Sequence, residues 1–104
     1  MLPAPSVGVD ATIAEVIRLG SGDKPIAVVT DTGVLVGAVQ PTARALPERT
    51  PVERVMISAP STIRPDLRVD EVLEQLRKDG LDHVYVTTAS GVLIGLVVQA
   101  ELHV

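Results

Sequence analysis

The spacing of apolar positions along the chain changes from a helical to a strand period, and it does so twice. In "ATIAEVIRLG" (11–20) Ile13, Val16 and Ile17 fall at i, i+3 and i+4, one face of a helix. In "RVDEVLEQLRKDG" (68–80) Val69, Val72, Leu73 and Leu76 do the same. Each run stops at a glycine, Gly20 or Gly80, the residue that most readily closes a helix. Thr12 followed by Glu15 fits a capping box, the hydroxyl taking a free N–H and the carboxylate reaching back. Arg68 holds the equivalent place in the second run and caps less well. After each helix the period shortens. "IAVVT" (26–30) and "VYVTT" (84–88) read as strands, "DTG" and "ASG" as turns, and "VLVGAVQ" (34–40) and "VLIGLVV" (92–98) as the returning strands of hairpins. Gly37 and Gly95 lie inside strands, where glycine marks a bulge or a close backbone approach. Short helical stretches follow: "PTARAL" (41–46), with Pro41 suited to a first helical turn, and "QAELHV" (99–104).

These elements are two copies of one unit. With Gly33 set on Gly91, "PIAVVTDTGVLVGAVQ" lies on "HVYVTTASGVLIGLVV" without a gap. Upstream, Asp10 meets Asp66, Ile13 meets Val69, Glu15 meets Glu71 and Val16 meets Val72. The first repeat is expected over 1–46 and the second over 47–104, the latter opening with a short helix over 51–56. A strand–helix–strand–strand–helix unit this short buries too little apolar surface to be comfortable alone. Two copies packed sheet to sheet about a pseudo-two-fold would relieve that. The expectation is an α+β fold of two pseudo-symmetric β-α-β-β-α repeats in one compact module, and the duplication is first a statement about folding.

Composition narrows the chemistry. The chain has 104 residues, 46% of them apolar but only 1% aromatic, with Tyr85 alone, so its core is built from Val, Leu, Ile and Ala. The formal charge of −4 and the lack of stacking aromatics argue against nucleic-acid binding. No cysteine is present, which removes disulfides, thiolate zinc sites and thiol nucleophiles. No apolar run reaches the roughly 18 residues of a membrane span. "MLPAPSVGVD" lacks the basic and apolar regions of a signal peptide. A cytoplasmic location without direct membrane insertion is therefore expected, and a membrane-protein host remains compatible. No Ser–His–Asp order and no paired catalytic acids are visible, so the chain does not read as an enzyme. "GSGDK" (20–24) is not followed by a helix start and fails as a phosphate loop. His83 has no second ligand beside it in sequence, so no metal site is expected. The arginines of "ARALPERTPVER" (43–54) are interrupted by Glu48 and Glu53 and read as a solvated linker.

The repeated order resembles the cystathionine-β-synthase (CBS) domain. The second copy carries the clearer match: "PVERVM" as the leading helix ending in Met56, "APSTIRPD" as the loop and short strand, then the helix, strand and "GVLIGLVVQAEL". The first copy keeps Pro25 and Asp31 but lacks the leading helix. The resemblance covers nearly the whole chain and implies a tandem pair, or Bateman module. It also implies a regulatory, non-catalytic role: binding AMP, ADP, ATP or S-adenosylmethionine in clefts between the copies, and assembly as a homodimer or within a larger protein.

What the resemblance implies for individual residues is uneven. The family's ribose-binding hydroxyl and Asp fall on Gln40 and Ala43 in the first copy and on Val98 and Glu101 in the second; only Glu101 keeps a carboxylate. The adenine-facing positions fall on Val7 and Gly8, on Pro25, Ile26 and Ala27, on Thr62, Ile63 and Arg64, and on His83, Val84 and Tyr85. Lys24, Arg64, Asp82 and His83 are the polar residues nearest the implied cleft, where a cation would pair with phosphate. The degraded ribose motif leaves a rival reading open: the same fold with empty clefts, serving as a dimerisation or interaction module.

Overall fold

The computed structural model describes residues 3–20, 24–58 and 60–99. It divides into two compact units, Pro5–Pro60 and a second in which residues 3–4 join those from Ser61 onward.

The first unit holds β1 (Ser6–Gly8), α1 (Ile13–Leu19), β2 (Ile26–Val29), β3 (Leu35–Val39), a 3-10 helix (Pro41–Ala45), α2 (Val52–Val55) and β4 (Ile57–Ser58). Its sheet has the order β1-β2-β3-β4. Strands β1 and β2 are parallel, which requires a crossover, and α1 supplies it. The β2–β3 pair is an antiparallel hairpin, and β4 pairs antiparallel with β3 at Gly37 and Ala38. Ile13 and Val16 of α1 pack on Val7, Ile26, Val28 and Val39 of the sheet, with Val52 of α2 buried among them. By packing, α2 lies in this unit, although in the sequence repeat it opens the second copy; repeat and packing unit are offset by this segment.

The second unit repeats the plan with β5 (Thr62–Ile63), α3 (Val69–Asp79), β6 (His83–Thr87) and β7 (Leu93–Val98), in the order β5-β6-β7. Its core joins Val72 and Leu76 of α3 to Ile63, Val84 and Val86. The two hairpins shift register at matching places, between Val28 and Val29 and between Val86 and Thr87. Their turns close alike. Val34 N–H donates to Thr30 Oγ1 over 3.1 Å, and Val92 N–H donates to Thr88 Oγ1 over 3.1 Å.

Helix ends show where side-chain chemistry is needed and where it is not. Gly80 follows α3 with φ 66°, and Leu81 N–H donates to Leu76 C=O over 2.8 Å, the pairing that fills an orphan carbonyl. Gly20 ends α1 in the same conformation. The expected capping box at Thr12 does not form: Thr12 is the N-cap, but its side chain makes no capping bond. The reason is local. Ile13 N–H donates to Thr50 C=O over 2.9 Å and Ala14 N–H to Glu48 C=O over 3.0 Å, so backbone carbonyls already fill the helix end.

The alternation of the sequence thus yields a mixed α+β fold with two sheets. "PTARAL" forms a 3-10 helix rather than an α-helix. Most of "QAELHV" lies outside the described residues. Among the described residues no helix is long and apolar enough to cross a membrane.

Candidate functional site

Strand alternation sorts the candidate residues by face. Val7, Ile26, Ile63 and Val84 point into the helix-covered cores and are buried there. Any contact these four make with a ligand is through their backbone. Gly8 is exposed at the end of β1, and a Cβ placed on it meets nothing within 4 Å, so its backbone stands open. Pro25 is buried and Lys24 half-buried just ahead of β2.

The opposite sheet faces carry the side chains that differ between the copies. In the first unit Ala27 stands across from Ala38, both buried and small. In the second unit the equivalent pair is Tyr85 across from Leu96, both fully buried and large. The Tyr85 hydroxyl has no hydrogen-bond partner among the described residues. Burial pushes its pKa up to about 12, because the anion would be left without water. His83 stacks edge-on to Tyr85, ring centres 6.1 Å apart. His83 Nδ1 donates to Asp82 Oδ1 over 2.7 Å. That bond holds the exposed Asp82 carboxyl below the usual carboxylate range and fixes the ring so that Nε2 is the nitrogen left for another partner.

Arg64 follows β5 and reaches across to the end of β6. Its Nη1 donates to Thr87 Oγ1 over 3.0 Å and to Thr88 C=O over 2.9 Å. Thr87 is the polar residue buried most deeply in this unit among the described residues, and Arg64 supplies its hydroxyl with a partner. The sequence did not announce this bond; the signal was the pair of Thr residues ending "VYVTT" opposite the end of β5. The structure therefore brings Thr62, Ile63, His83, Val84 and Tyr85 together on two paired strands of one unit, with Arg64 and Asp82 at their ends. Val7, Gly8 and 24–27 come together in the other. Glu101, the one residue with a ribose-type carboxylate, lies outside the described residues. Among the described residues no group of three or more His, Asp or Glu side chains is placed to hold a metal ion.

Comparison with known proteins adds a fold and a family likeness over the second half of the chain. A family model for the CBS domain matches residues 52–102. No curated protein matches the chain. Among solved structures, the cytosolic domain of the Mg2+ channel MgtE in complex with ATP is similar with a TM-score of 0.81 and 23% identity, over 91% of this chain and 42% of that one. Staphylococcus aureus OpuCA is similar with a TM-score of 0.82 and 20% identity, over 96% of this chain and 89% of that one. CBSX2 in complex with AMP is similar with a TM-score of 0.79 and 18% identity, over 96% and 87%. The chain thus spans less than half of the magnesium-channel domain and most of the other two.

Proposed function

The chain carries a CBS domain at residues 52–102 and has the fold of a tandem CBS pair, and from that premise we propose that it is a regulatory module that binds an adenine nucleotide or another adenosyl ligand. The observation that supports this most is the likeness over nine-tenths of the chain to structures that hold ATP and AMP. In this reading the base lies against the open backbone at Gly8 and the 25–27 strand start, or against the matching 62–64 and 83–85 segments. Arg64, Lys24 or His83 Nε2 then meets phosphate, and Glu101 takes the ribose hydroxyls, a role that suits an acceptor-only carboxylate. The module carries no chemistry of its own. It acts within a larger protein, a membrane transporter included, or as a homodimer.

The loss of the ribose groups at Gln40, Ala43 and Val98 favours a second reading, an interaction module with no ligand. Thermal unfolding separates the two. AMP, ADP, ATP and S-adenosylmethionine are added in turn, with a guanine nucleotide as control. A ligand at 100 times its dissociation constant adds about 2.7 kcal/mol. In a domain of this size that raises the midpoint by on the order of ten degrees. A shift with one adenosyl ligand that Glu101→Ala removes supports the sensor. A cooperative transition unmoved by every ligand supports the interaction module.

A further inference from the structure

His83 breaks the correspondence between the two repeats. Its counterpart is Pro25, and Asp82 stands where the first repeat has Lys24. The chain entering β6 therefore carries an imidazole and a carboxylate. The chain entering β2 carries a cation and a side chain with no polar atom.

Three contacts hold the imidazole in place. His83 pairs with Val98 in the ladder between β6 and β7. Its ring meets Tyr85 at 83°, edge-on, and Tyr85 is fully buried. Nδ1 donates to Asp82 Oδ1 over 2.7 Å. An ionised carboxylate only accepts, so in a neutral ring the proton sits on Nδ1 and Nε2 presents a lone pair. Nε2 meets no partner among the described residues, and with the side chain 24% exposed it is open at the surface.

The surroundings decide which ligand group this nitrogen suits. The Asp82 side chain is 88% exposed and sets a negative charge beside the ring. Ser61 and Thr62 on the β5 side and Val98 and Gln99 on the β7 side bring no charge. The cation contributed by α3 is Arg77, which lines a hollow with Asp82 and Gln99 rather than with His83. A lone pair next to a carboxylate repels a phosphate and attracts an N–H donor.

We infer that His83 Nε2 accepts a hydrogen bond from the exocyclic 6-amino group of an adenine held at β5 and β6, and so makes the second unit selective for adenine over 6-oxo purines. His83 takes this role only within the adenosyl reading above, and the phosphate is then left to Arg64 or Lys24. Asp82 is a positioning residue that acts through the tautomer it fixes. Pro25 offers no such acceptor, so a base held in the first unit is not sorted in this way.

The test titrates AMP, IMP and purine riboside 5′-monophosphate, which has hydrogen in place of the amine, into the isotope-labelled 104-residue chain. Amides are followed by NMR at pH 8.5, above the range in which imidazoles ordinarily take up a proton. AMP is expected to shift amides at 62–64 and 83–85 saturably and to bind about tenfold or more tighter than the other two, the scale set by one matched hydrogen bond. His83→Phe keeps a ring beside Tyr85 and should weaken AMP to the level of IMP. Asp82→Ala should move the ring proton toward Nε2, read in the imidazole nitrogen shifts, and reduce the AMP preference; a merely structural Asp82 would move neither. Saturable AMP binding without preference over IMP, or with a preference that His83→Phe leaves intact, overturns the role of His83 while the adenosyl reading stands. Binding confined to Gly8 and 25–27 does the same. Equal weakening of all three ligands by His83→Phe would put phosphate at Nε2 and also overturns it. A folded parent chain with no saturable shift from AMP overturns both. The comparison of AMP with IMP in the parent chain needs no variant to fold.

Discussion

Met56 packs directly over the position where Gly37 lacks a side chain. A Cβ on Gly37 would lie 2.5 Å from Met56 Sδ, 2.9 Å from its Cγ and 3.2 Å from Ile57 C=O. Glycine is present because β4 and the residue before it press onto β3 at this point. Gly37→Ala is expected to destabilise the chain by about 1–3 kcal/mol, the usual cost of overpacking. Part of that cost should disappear in a Met56→Ala background, and a double-mutant cycle by urea unfolding measures how much. Strictly additive effects would count against the contact.

The orphan hydroxyl of Tyr85 makes two expectations. Tyr85→Phe should be neutral or stabilising, because it removes a buried polar group that meets no partner among the described residues. Tyr85→Ala should cost about 3–5 kcal/mol through the cavity it leaves. The pH dependence follows from the same burial. The folded pKa of about 12 lies above the ordinary tyrosine value of about 10, so the folded state keeps a proton that the unfolded chain releases. Stability from this group is full below pH 10 and falls as pH rises toward 12, by at most about 1.4 kcal/mol per pH unit. Chemical denaturation between pH 9 and 12 should show the fall in the parent and a smaller one in Tyr85→Phe.

Thr12 stands at a helix start but caps nothing with its side chain. Thr12→Ala is expected to cost under about 0.5 kcal/mol, less than the ~1 kcal/mol of a working N-cap. Val52→Ala, which loosens the segment that fills that helix end, should cost about 2 kcal/mol. Thermal or urea unfolding of the two variants reads the contrast, and a reversed order would show that the hydroxyl matters after all.

Gly80 ends α3 with φ 66°, and a Cβ there meets nothing within 4 Å. Gly80→Ala is therefore a test of backbone strain without crowding. It should cost about 1–2 kcal/mol, read as a drop in the urea midpoint at unchanged slope.

Much of this fold was legible because period and punctuation agreed. Ile13, Val16, Val72 and Leu76 announced their helices, Gly20 and Gly80 ended them, and the hairpins followed from strand–turn–strand order. Gly37 was readable as a close approach, though not what approached. β4 went unseen because Ile57 and Ser58 are two exposed residues with no period to display. Thr12 was misread because its helix end is filled by carbonyls from 48 and 50, a tertiary contact that local sequence does not encode. The site was legible only through resemblance. Backbone positions such as Gly8 carry no side-chain signature, and the Arg64–Thr87 bond joins residues far apart in sequence.

The measurement that tests the central claim most directly is the amide NMR spectrum of the labelled chain titrated with AMP and, separately, ATP. The account predicts saturable shifts centred on Gly8 and 25–27, on 62–64 and 83–85, or on both, with little change at Val69 and Asp70. A folded chain whose spectrum is unmoved by either nucleotide, or moved only outside those strands, would contradict it.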